Sequence, residues 1–217
     1  MKLDKVLHVL AYCRIKNNIV IVNGLPLYFT KDEDCAKWFS NIYHEQQMQF
    51  PKFFKMDNLC KTGFLCSELL LKDIPFNRDV VKPDWSVVCV ERSSSLDDDK
   101  AFQNTINKKD NYFPSPAVFV YTLANIVTGE LSIRYKLGGE SSCYVVEKLD
   151  PLKFISLMQT PFMDMTTHYV LGGWVDYADN QCDAFMMLIS DVEQSDILLD
   201  EDFVKNYYFR NFKDFMA

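Results

Sequence analysis

Short β-branched and aromatic runs alternate with longer stretches of helical spacing along this 217-residue chain, and that alternation leaves few possible folds. Trp85-Ser86-Val87-Val88-Cys89-Val90 is almost continuously apolar, the pattern of a strand buried on both faces. Ser142 to Val146, His168 to Val175 and Ala184 to Ile189 read as further strands. Helices are expected between them. Asp57 caps one, with Leu59, Gly63, Cys66 and Leu70 on a shared face; Asp97, Asp98 and Asp99 open a second; a third runs from Pro151 to Gln159. Strands joined by such helices form a mainly parallel sheet covered on both faces. Asp176 to Asp183 is too short to hold a crossover helix, so the last two strands should pair antiparallel.

The amino-terminal part adds a hairpin and a helix. Val6 to Ile15 and Ile19 to Val22 flank Asn17-Asn18, which suits a two-residue turn. Thr30-Lys31-Asp32-Glu33 has the form of a capping box that starts a helix to about Gln47, with Cys35, Phe39 and Ile42 inward. The tail from Asp200 to Phe215 reads as an amphipathic helix rich in Phe and Tyr. There is no repeat, linker or low-complexity segment, so residues 1–217 are expected to form one domain.

Composition excludes several classes. A net charge of −7 without any cluster of Lys and Arg argues against a nucleic-acid partner. The same charge offers no general attraction to an acidic protein, although Lys52 and Lys55 could form a local patch. Seven scattered cysteines with no Cys-x-x-Cys point to the reducing cytosol, and the amino-terminal apolar run, broken by His8, is too short for a signal peptide. No apolar run is long enough to span a membrane. No metal or cofactor motif is present. Asp97 to Asp99 are explained by the helix dipole and Ser93 to Ser95 by capping. His8, His44 and His168 have no Cys or Asp that the sequence pairs with them.

The run from Phe113 to Gly139 is the most distinctive segment. Pro114 and Pro116 hold the chain extended, and a long helix is expected from Ala117, with Phe119, Leu123, Ile126, Val127, Leu131 and Ile133 on its buried side. Gly129 lies in its middle, as if to admit another backbone, and Gly138-Gly139 should end it.

This run resembles the stretch that leads to the reactive cysteine of the β-ketoacyl synthases, condensing enzymes of the thiolase superfamily. Ser115-Pro116, Asn125, Gly129-Glu130, Ile133-Arg134 and Gly139-Glu140 carry the likeness. Lys55-Met56-Asp57 resembles the opening of an earlier helix of that family, and Gly172-Gly173 its later Gly-Gly pair. The resemblance covers Met56 to Leu188. It implies an α/β fold equal to a single thiolase-like half: a five-stranded, mostly parallel sheet with an antiparallel last strand and helices on both faces.

The departures bear on chemistry. The resemblance places the nucleophile near Glu147 or Lys148, and neither can replace a cysteine. Cys143 falls earlier, in mid-strand, where it is expected to be a small buried apolar residue. Only a short tail follows Leu188, so the histidines and asparagine of the family's second half are expected to be missing. The resemblance therefore implies a non-catalytic subunit in fatty-acid or polyketide-like acyl-chain biosynthesis. It would dimerise through Ser142, Cys143, Tyr144, Val145 and Val146, with itself or with a full-length ketosynthase, and an acyl carrier protein is a further candidate partner. Two alternatives stay open: an active acyltransferase completed by a partner subunit, and an acyl-ligand binding module.

Overall fold

The computed structural model describes residues 5–29, 34–107 and 113–210. Among these, seven strands form one sheet: β1 (His8–Lys16), β2 (Ile19–Val22), β3 (Leu25–Phe29), β4 (Trp85–Glu91), β5 (Ser141–Val145), β6 (Tyr169–Ala178) and β7 (Gln181–Ser190). Their order is β3-β2-β1-β7-β6-β4-β5. The five expected strands are thus widened to seven, because the β1–β2 hairpin continues into β3. The sheet is mixed rather than mostly parallel: only β4–β5 and β4–β6 pair in parallel. The pairing of β6 with β7 is antiparallel, as the short connection requires, and turns at Asp179 and Asn180, both at positive φ.

The helices divide between the faces. On one face lie α1 (Cys35–Glu45), α2 (Asn58–Leu70) and α5 (Ile126–Tyr135); on the other lie α6 (Pro151–Gln159) and α7 (Glu201–Tyr208). The helix α2 crosses the sheet over β1, β6 and β7, and is buried almost all round, from Leu59 to Leu70 except Lys61. The Asp57 carboxylate starts it by accepting from the Leu59 and Cys60 amides, at 3.0 and 3.2 Å. Capping of α1 comes from Asp34, with Cys35, Phe39 and Ile42 buried as expected; the capping box at Thr30 to Glu33 lies outside the described residues. Asp200 caps α7, and the end of the expected tail helix also lies outside them.

The Phe113–Gly139 run departs most from expectation. In place of one long helix, α4 (Pro116–Phe119) with the 3-10 turn Val120–Thr122 meets α5 at a bend of 98°. The polar interruptions at Thr122 and Asn125 bracket the break, since neither adds to an apolar face that could hold a continuous helix down. Val127 and Leu131 are buried, whereas Phe119, Leu123 and Ile133 are exposed. Lys136, at φ 54°, ends α5 in place of the Gly-Gly pair. Gly129 admits nothing: a Cβ there would meet no atom within 4 Å. The close approaches occur at other glycines. A Cβ on Gly139 would lie 2.6 Å from the Trp85 carbonyl oxygen, one on Gly172 would lie 2.7 Å from that of Val88, and one on Gly173 would collide with that of Phe185.

No single helix among the described residues is long and apolar enough to cross a membrane. The bent α4–α5 pair passes that test jointly, but Val127, Leu131 and Tyr135 are buried in the core beneath the sheet.

Candidate functional site

The parallel strands β4, β5 and β6 end at one rim of the sheet, where open α/β sheets commonly bind their ligands. Glu147 and Lys148 lie there, between β5 and α6, both exposed. They line a cleft of about 540 Å³ with Arg92, Trp174, Asp176 and Tyr208. Arg92 pairs with Asp176 at 2.9 Å, and the Ser93 amide donates to the same carboxylate at 2.8 Å. One thiol borders this cleft, that of Cys182, but its hydrogen bond with Cys35 and its burial both push it well above the ordinary thiol range. The cleft can hold charge; its lining offers no activated nucleophile.

The strand β5 forms the sheet's last edge, pairing only with β4, from Val87 opposite Ser141 to Glu91 opposite Val145. The Gly139 amide donates to the Trp85 carbonyl at 2.9 Å, and the Val87 amide to the Glu140 carbonyl at 2.8 Å. The Val146 amide donates to the Glu91 carbonyl at 2.8 Å, so by the two-residue repeat of a parallel ladder the Ser142 and Tyr144 amides face β4 and the N–H groups of Cys143 and Val145 point away from the sheet. Exposed apolar side chains flank this open edge: Val145 on β5 is 57% exposed, Ile133 on α5 65% and Leu152 on α6 64%, with Leu123 at the α4–α5 break.

Cys143 is half-buried rather than buried, because among the described residues no strand pairs with the outer side of the edge. Its Sγ lies 3.3 Å from the Ala124 carbonyl oxygen. Burial, together with the adjacent Glu91 carboxylate, pushes the thiol up to about 12, so it is inert at neutral pH.

Glu91 itself is fully buried, and its carboxylate has only weak contacts with the Ser94 hydroxyl and the Cys143 thiol. Desolvation raises it to about 7. A second carboxyl pair joins Asp57, which caps α2, to Asp98 in the first turn of α3 (Leu96–Ile106). Burial and the Asp57 charge raise Asp98 to about 8, so Asp98 does more than meet a helix dipole. Ser95 likewise does not cap α3 with its side chain; its hydroxyl donates to Asp99 at 3.3 Å. Among the described residues no three His, Cys, Asp or Glu side chains converge to hold a metal ion.

The residues that carried the family resemblance take structural parts. Arg134 of α5 grips Glu68 of α2 with two bonds, at 2.8 and 3.1 Å, and Tyr135 donates to the same carboxylate at 2.7 Å. Burial alone would raise Glu68, but these partners outweigh it and hold the carboxyl below its usual range. Buried Glu130 pairs with Lys52 at 2.6 Å, which takes Lys52 out of the expected basic patch and leaves Lys55. His168 does find a carboxylate, Asp191 at 3.0 Å, brought near by the β6–β7 pairing; sequence separation hid it. The Asp57–Asp98 and Glu91–Cys143 pairs were missed for the same reason, although the apolar setting of Glu91 at the end of a buried strand was a usable signal.

No known sequence family matches the chain, and no curated protein matches it. Solved structures do. The ishigamide ketosynthase/chain length factor superposes with a TM-score of 0.64 and 13% identity over 88% of this chain and 64% of that one. The AntDE:AntF structure, a type II polyketide synthase acyl-carrier protein in complex with its ketosynthase bound to the hexaketide, gives 0.56, 12%, 86% and 62%. A β-ketoacyl synthase from Burkholderia phymatum STM815 gives 0.54, 10%, 87% and 60%. At such identities the shared property is the fold. This chain has the fold of these ketosynthase structures, and it spans about three fifths of the length of these three neighbours.

Proposed function

We propose that the protein is a non-catalytic ketosynthase-like subunit that dimerises through β5 and serves acyl-chain assembly of the fatty-acid or polyketide kind. The observation that carries this reading is the open β5 edge, with outward-facing Cys143 and Val145 amides and exposed apolar residues beside it. A second copy meeting that edge across a two-fold axis would satisfy both amides and cover Val145, Ile133 and Leu152. An antiparallel crossing at Cys143 places Glu140 of one strand diagonally across from Lys148 of the other, so charges of opposite sign meet. A full-length ketosynthase offering a matching strand is the alternative mate, and an acyl carrier protein is a proposed further partner, by analogy with the AntDE:AntF complex.

The absence of chemistry is supported by Glu147 and Lys148 at the nucleophile's place and by the inert Cys143. A cytosolic site of action is part of the same proposal and rests on seven free cysteines.

The test is Val145→Pro. Proline removes an outward N–H without touching the ladder to β4, so the fold should persist while self-association, followed by sedimentation, is lost. A wild-type protein that stays monomeric at high concentration and does not bind a co-expressed ketosynthase would overturn the proposal. So would formation of an acyl adduct on incubation with acyl carrier protein thioesters.

A further inference from the structure

A second cleft, of about 440 Å³, opens at the opposite rim of the sheet from Glu147 and Lys148. Its floor is a row across four adjacent strands: Leu10 of β1, Leu188 of β7, Tyr169 of β6 and Trp85 of β4. Leu10 joins the row because a bulge between Val9 and Ala11 shifts the register of β1 against β7. The chain between α2 and β4 overhangs this floor and contributes Phe76 and Val80.

Two features define what fits. The first is a row of rings: Trp85 stacks on Tyr169 at 4.9 Å and 28°, and Phe76 leans on Trp85 at 5.3 Å and 38°. Another flat ring added to such a row gains about 0.5–1.5 kcal/mol beyond its buried area. The second is charge. Lys82 is the one cation in the lining, and its ammonium already donates to the carbonyls of Asn77, Val80 and Tyr135, at 2.6, 2.9 and 2.9 Å. All three protons are taken, so a carboxylate entering the cleft would find no cation free to pair with it. At the mouth, the Gln194 amide donates to the Tyr169 hydroxyl at 3.1 Å, which leaves the amide oxygen for a neutral polar group.

We infer that this cleft is a binding site for an uncharged, planar aromatic molecule, formed by the Phe76–Trp85–Tyr169 ring row and closed to anionic acyl chains. The site does not involve β5, so it stands apart from the dimer. Its size lies within the usual range for small-molecule sites.

The experiment titrates native protein with 2-naphthol and indole, and with decanoate as an apolar anion, following thermal stability and tryptophan fluorescence. Trp38 and Trp174 are more deeply buried, which makes Trp85 the reporter. Saturable stabilisation by 2-naphthol is expected, with none by decanoate. Val80→Trp, a change at an exposed position, should fill the mouth and weaken binding about tenfold. Val145→Pro should leave it unchanged. The inference is overturned if neither aromatic binds folded protein at millimolar concentration, if decanoate is preferred, or if Val80→Trp binds as well as wild type.

Discussion

The Sγ of Cys143 rests 3.3 Å from the carbonyl oxygen of Ala124, and this contact ties the edge strand β5 to the break between α4 and α5. It also fixes the face on which the thiol stands. In a two-fold pairing centred on Cys143, the outward N–H and C=O of the two residues bond each other, with Cα atoms about 5.5 Å apart, within disulfide reach. Copper-phenanthroline oxidation should therefore give a covalent dimer on a non-reducing gel, and Cys143→Ser should abolish it. Iodoacetamide should react slowly with the same thiol at pH 7; fast, selective alkylation would contradict the buried dimer.

Glycine exchanges should separate two kinds of position. Gly173→Ala drives a methyl into the Phe185 carbonyl at the β6–β7 ladder and should cost about 3 kcal/mol or more, enough to reduce soluble yield. Gly129→Ala meets open space inside a helix and should stabilise by about 0.5–1 kcal/mol. Urea midpoints of the two variants would decide, and a destabilised Gly129→Ala would refute the open helix position.

The stability contributed by Asp98 and Glu91 should fall as pH rises from about 4 to 8, against the opposite trend of Glu68 and Asp191, whose carboxyls are held below their usual range. Asp98 and Glu91 have folded-state values of about 8 and 7, raised above their ordinary ones, so at these two groups the folded state holds more protons than the unfolded state over this window. Their contribution is complete below the unfolded carboxyl range and is lost as pH climbs through the folded values. Relative to wild type, melting temperature should lose less with rising pH in Asp98→Asn and in Glu91→Gln. A slope unchanged in both would show that neither carboxyl is held protonated.

Glu68 joins α2 to α5 through Arg134 and Tyr135, and Arg78 adds a third donor at 2.6 Å. Glu68→Ala leaves a buried hydroxyl and guanidinium without their partner and should cost about 3–5 kcal/mol. Arg78→Ala removes a more exposed member and should cost about 1 kcal/mol. Equal losses would mean that the knot is not centred on Glu68.

Local signals gave every strand but β3, the α2 cap at Asp57 and the antiparallel β6–β7 pair, because each depends on neighbouring residues. The break at Leu123 to Asn125 was harder to read, since helical spacing of apolar residues continues across it. Whether Phe119 and Ile133 are covered is settled by layers distant in sequence. The same holds for the functional features. Glu147 and Lys148 could be placed from the order of elements, but Glu91, Asp98 and the aromatic cleft come together only when β4, α3 and β6 assemble.

In a protein that dimerises as proposed, the unpaired margin of β5 also makes its own abundance a variable of its stability. A dilute chain presents bare backbone to any extended segment it meets, whereas a concentrated one conceals that margin from proteases and from aggregation. Expression level, rather than any ligand, would then determine how long each molecule survives.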